Sequence, residues 1–82
     1  MNNKILIELI VPEIDQRFSI FLPVNRKIGN IVTLLNKAIS EIDSNHLATG
    51  NSLYNWETGQ KYEVNELLYN TNIRSGTALV LF

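Results

Sequence analysis

The sequence predicts an α+β roll, a mixed sheet of four to five strands with one helix crossing one of its faces. Three observations carry this. An alternating apolar hairpin opens the chain, one stretch of helical period follows it, and a short apolar strand closes it. Apolar residues at every second position describe a strand with one buried face. Apolar residues at steps of three and four describe a helix with one buried stripe. At 82 residues the chain is sized for one domain, residues 1–82. A two-layer arrangement is the natural way for so short a chain to bury a core.

Taken in order, residues 4–11 are rich in β-branched and aliphatic side chains and are stopped by Pro12, which predicts a first strand. Residues 12–16 suit a hairpin connection. Residues 17–22 alternate, with Phe18, Ile20 and Leu22 on one side, and Pro23 ends this second strand because proline cannot donate to a ladder. The period then changes. Ile28, Ile31, Val32, Leu35, Ile39 and Ile42 fall on one helical stripe. Asn25 or Lys27 is the entry residue, Asn25 being the better cap by chemistry. The turn-forming run 43–46 ends the helix. Residues 53–56 read as a third strand and 57–60 as a tight turn in which Gly59 can take positive φ. Residues 60–62 read as a short partner strand and 64–68 as one helical turn. Residues 73–76 form a turn before a closing strand over 77–82. A hairpin, a crossing helix and a mixed sheet closed by a central last strand make the β-grasp arrangement.

The residues also carry a resemblance. The ending Leu68-Tyr69-Asn70-Thr71-Asn72-Ile73-Arg74-Ser75-Gly76-Thr77-Ala78-Leu79-Val80-Leu81 is similar to that of ubiquitin-like domains: a Leu, an Ile five residues on, a turn glycine, then alternating Leu. The junction Phe18-x-Ile20-x-Leu22-Pro23 followed by Ile28-x-x-Ile31 resembles theirs as well. Length, a chain that stops after its last strand, and the spacing from Leu53 through Tyr62 and Leu68 to Ile73 resemble the bacterial YukD/EsaB group. These are small ubiquitin-like proteins associated with type VII (WXG100) secretion. The resemblance implies a cytoplasmic, non-catalytic accessory or adaptor of such a system, with a protein partner that can be a membrane-anchored secretion component. The alternative is a ubiquitin-like subunit or regulator of another cytoplasmic enzyme complex. Conjugated ubiquitin-like proteins act through a tail ending in a glycine pair. This sequence ends Leu79-Val80-Leu81-Phe82, so the expectation is a module that is not conjugated through its C-terminus.

Other classes are disfavoured by composition. Seven basic and eight acidic residues give a net charge of -1, spread along the chain, whereas a nucleic-acid binder clusters Lys and Arg to replace counterions. With no cysteine there is no disulfide framework, thiolate metal site or Cys nucleophile. The apolar run 5–11 carries Glu8 and is too short to insert in a membrane. The single histidine, His46, lies beside Asp43 and Ser44 in one polar turn, and sequence neighbours are not a triad. The carboxylate pairs Glu13/Asp15 and Glu63/Glu66 sit in turns. No spacing suggests a metal site or a phosphate loop. The expectation is no enzyme, no cofactor and no metal.

What remains is surface. With Ile5, Ile7 and Leu9 inward, alternation sends Leu6, Glu8 and Ile10 to the other face. Phe21, Val80 and Phe82 point the same way. If Leu53 is inward, Tyr54 and Trp56 point outward too. The opposite register puts Tyr54 and Trp56 in the core, and it is favoured by the cost of burying Asn55 without partners. In the first register Leu6, Phe21, Tyr54, Trp56, Val80 and Phe82 form an apolar patch on the helix-free face. That is the candidate protein-binding face, and pairing of two copies as a homodimer would cover it equally.

Overall fold

The structure, a computed structural model, describes residues 3–42 and 50–82. Strands β1 (Lys4–Val11) and β2 (Gln16–Pro23) form the opening hairpin, joined by one 3-10 turn at Pro12–Ile14. Asp15 ends that turn at φ 51, and its N–H donates to the Pro12 carbonyl at 3.0 Å. A short polar side chain is among the few that tolerate this left-handed conformation. Helix α1 spans Ile28–Ile42, followed by β3 (Leu53–Asn55), a 3-10 turn at Leu68–Asn70 and β4 (Ala78–Leu81). The sheet has four strands in the order β2-β1-β4-β3. β1 pairs antiparallel with β2 and parallel with β4, and β3 pairs antiparallel with β4. The last strand is therefore central, as expected.

The helix packs on one face of the sheet. Its stripe Ile28, Ile31, Val32, Leu35 and Ile39 is buried in one cluster with Ile7, Leu9 and Val11 of β1, Leu22 of β2, Leu53 of β3, and Leu79 and Leu81 of β4. Each such side chain contributes about 1.5–3 kcal/mol when fully buried, so this cluster drives the fold. Ile42, placed on the same stripe from the sequence, is instead exposed, because it is the last helical residue.

Three details differ from the sequence expectation. Residues 60–62 do not add a fifth strand. They make a single bridge, Tyr54 to Lys61, closed by the Asn55 N–H on the Gln60 carbonyl at 2.8 Å and the Tyr62 N–H on the Leu53 carbonyl at 2.9 Å, and the Tyr62 side chain turns into the core, where it is 3% exposed. The helical turn expected over 64–68 appears later, at Leu68–Asn70. Residues 64–66 have another task, which also explains the third difference. The first helical hydrogen bond runs from the Ile31 N–H to the Lys27 carbonyl, so Lys27 rather than Asn25 is the entry residue. Among the described residues no polar side chain caps the start. The Ile28 and Gly29 N–H groups donate to the backbone carbonyls of Glu66 and Val64, both at 2.9 Å. A helix leaves its first N–H groups without internal partners, and here a distant loop supplies them. Gly29 eases that approach: a Cβ there would lie 3.3 Å from the Val64 carbonyl oxygen, close enough that the loop would have to give slightly. His46, Asp43 and Ser44 lie outside the described residues.

Candidate interaction surface

The orientation of β3 decides what the helix-free face presents. Leu53 is fully buried, Tyr54 is half-buried on the opposite face, and Trp56 is 54% exposed. Asn55 shares the inner face with Leu53, and its partners remove the cost that argued for the opposite register. Its Nδ2 donates to the Tyr62 hydroxyl at 3.1 Å, and that hydroxyl donates to Asn72 Oδ1 at 2.7 Å. Its Oδ1 accepts the Glu57 and Thr58 N–H groups at 2.9 and 3.1 Å, closing the turn after β3. Gly59 completes that turn at φ 75.

Cross-strand register orders the outer face in rows. Phe21 of β2 stands directly opposite Leu6 of β1. In the next row Ser19, Glu8 and Ala78 are neighbours, and the Trp56 N–H donates to the Ala78 carbonyl. The row beyond holds Arg17, Ile10, Val80 and Tyr54. Phe82 follows Val80 by two residues and lies on the same face, its N–H bonded to the Ser52 carbonyl. Leu6, Phe21, Trp56 and Phe82 are exposed, and Tyr54 and Val80 are half-buried. Only two couples among the six are direct cross-strand neighbours: Leu6 with Phe21, and Tyr54 with Val80.

A polar rib separates these two halves. Arg17 Nη1 is 2.9 Å from Glu8 Oε1, and the guanidinium carbon lies 5.8 Å from the centre of the Trp56 ring. Both charged side chains are about half exposed, which limits the ion pair to at most about 1 kcal/mol. The sequence reading had Glu8 facing outward but missed Arg17. Its signal was present, since Arg17 alternates with Phe18 and must share the face of Phe21. Among the described residues no three His, Cys, Asp or Glu side chains cluster, and no helix is long and apolar enough to cross a membrane.

No protein-family model matches the chain, and no curated protein matches it in sequence. Solved structures do. The "EccD5 ubiqutin like domain from Mycobacterium xenopi" superimposes with a TM-score of 0.78 at 16% identity, over 99% of this chain and 94% of that one. A chain of the "MycP5-free ESX-5 inner membrane complex" matches with a TM-score of 0.80 at 15% identity. That match covers 99% of this chain and 21% of the other, so this chain spans about a fifth of the larger protein. A chain of a toluene 4-monooxygenase HD complex matches with a TM-score of 0.72 at 4% identity, over 95% of both chains. At such identities the likeness concerns the backbone alone, and it agrees with the element order, the sheet order and the central parallel strand described above. This chain has the ubiquitin-like β-grasp fold.

Proposed function

We propose that this protein is a non-catalytic bacterial module of the YukD/EsaB kind, a cytoplasmic accessory or adaptor of a type VII secretion system. It works through protein contacts made by the outer sheet face. The observation that carries the reading is the backbone likeness to the EccD5 ubiquitin-like domain, over nearly the full length of both chains. The exposed Phe21, Trp56 and Phe82 on the helix-free face support it, because aromatic side chains of this type anchor protein interfaces. The polar rib divides that face into two apolar halves, so the partner meets two contact points rather than one continuous patch. The likeness to a chain of an oxygenase complex favours a second reading, a ubiquitin-like subunit or regulator of a different enzyme complex.

The test is crosslinked affinity capture of the tagged protein from its own host, membranes included, with mass spectrometry of the retained proteins. Phe21→Asp and Trp56→Asp serve as comparisons. Recovery of a membrane-anchored secretion component that both variants lose supports the first reading. Recovery of only soluble enzymes, or of the protein with itself, overturns it. Retention of the partner by both folded variants removes the outer face from the account.

A further inference from the structure

We infer that Arg17 is the positioning residue of the docking face: it clamps the Trp56 indole in a preset pose over Ile10 and is itself anchored by Glu8. The functional half of this assignment rests on the outer sheet face being the docking surface.

Two independent observations carry it. The first is geometric. Arg17 sits on edge strand β2, while Trp56 follows the opposite edge strand β3, with β1 and β4 between them. Strands lie about 4.8 Å apart, so these two backbones are roughly 14 Å from one another. The guanidinium carbon is nevertheless 5.8 Å from the indole centre, so the two side chains reach toward each other across the sheet. That distance lies inside the range where an arginine is attracted to the face of an indole. Glu8, on the strand beside Arg17, accepts from the guanidinium at 2.9 Å and ties it to the sheet, with both side chains still about half exposed.

The second observation is burial. Leu6 and Ile10 occupy the same face of the same strand, yet Leu6 is 41% exposed and Ile10 only 8%. No helix covers either of them. Ile10 lines an open depression together with Val11, Pro12, Asp15, Gln16, Arg17 and Trp56. Part of the difference comes from β4, which sets Val80 beside Ile10 but only Gly76 beside Leu6, and the arginine and indole, lining the same depression, add to the cover of Ile10. Long basic side chains commonly cover apolar surface in this way while their heads stay wet.

The consequence for binding is one of population. An exposed tryptophan beyond a strand end samples several rotamers, and a partner that recognises one of them loses affinity in proportion to the fraction not so placed. An arginine–indole contact at an exposed site is worth ~0.5–1 kcal/mol, so removing it lowers the clamped population relative to the free one by about two- to fivefold. Partner affinity follows the clamped fraction rather than that ratio, so it falls by at most about two- to fivefold, while the fold, held by the core on the other face, remains. Lysine keeps the charge but not the planar guanidinium that stacks on the ring and holds Glu8, so it restores only part of the effect.

The chain has one tryptophan, so its fluorescence reports Trp56 alone. Time-resolved anisotropy and acrylamide quenching are measured on the free protein and on Arg17→Ala, Arg17→Lys and Glu8→Gln, with circular dichroism confirming the fold. The expected result is a larger fast-motion amplitude and greater quenching in Arg17→Ala, an intermediate change in Arg17→Lys, and a smaller one in Glu8→Gln. An Arg17→Ala protein with indole dynamics identical to the wild type overturns the clamp, whatever the capture experiment shows. Changed dynamics in Arg17→Ala with unchanged binding by a partner whose capture needs Trp56 overturns its positioning role. Changed dynamics with no partner captured through this face keeps the clamp and overturns the docking surface it was to serve.

Discussion

Replacing Gly50 with alanine tests how tightly β4 is held against the segment that enters β3. Gly50 is buried, and its carbonyl accepts a hydrogen bond from Asn36 Nδ2 on α1, so the helix fixes its backbone from one side. On the other side, a Cβ would lie 2.7 Å from Leu81 Cγ and 3.2 Å from both Leu81 Cδ1 and the Phe82 nitrogen. The atom in closest conflict is the branch point of a side chain that is 2% exposed, not a free methyl that can swing aside. Overpacking of this kind costs ~1–3 kcal/mol. Loss of glycine's freedom in the unfolded chain returns ~0.4–1 kcal/mol. With backbone as well as side chain in the way, the net loss is about 2 kcal/mol. For a domain of this size that lowers Tm by about 8–16 °C. Thermal unfolding followed by circular dichroism reads it directly. Shortening Leu81 to alanine in the same chain removes both Cγ and Cδ1, so the double variant loses less than the sum of the two single losses. A Gly50→Ala protein as stable as the wild type, or strict additivity with Leu81→Ala, refutes the reasoning.

Leu79→Ala, at a fully buried position of central β4, loses about 2–5 kcal/mol in urea unfolding. Tyr62→Phe removes a hydroxyl with two partners, but Asn55 and Asn72 both reach water, so the same measurement shows a loss of about 1–2 kcal/mol rather than the larger cost of stranded buried groups. Phe21→Asp changes the melting temperature little, because Phe21 is 60% exposed on an edge strand; a collapse of the fold contradicts its placement on the outer face.

The local signals were strong where one face of an element is buried and the other is wet. The period of two in β1 and β2 and the period of three to four in α1 placed those elements within a residue or so of their observed ends. In the second half the elements are short, and their conformation depends on partners far along the chain. Residues 64–68 read as a helical turn, yet the Val64 and Glu66 carbonyls are spent on the start of α1. Residues 60–62 read as a strand, yet their pairing with β3 is limited to one bridge, at Lys61, with the Tyr62 N–H on the Leu53 carbonyl as its last bond. The six residues of the candidate face were legible from alternation once a register was chosen for β3. The rib that divides them was not, because it joins side chains from three separate strands or strand ends.

By itself the sequence determined the α+β class, the hairpin, the helix and its buried stripe, since apolar periodicity is local and burial follows from it. Only the tertiary structure decided that β3 turns Leu53 inward and Trp56 outward. A strand of three residues carries too little alternation to choose, and the deciding contact is the Tyr62 hydroxyl, which comes from the far side of a turn to accept from Asn55 and donate to Asn72. It also decided that Ile10 is covered while Leu6 is not, because β4 sets Val80 beside Ile10 but only Gly76 beside Leu6, a pairing that joins the two ends of the chain.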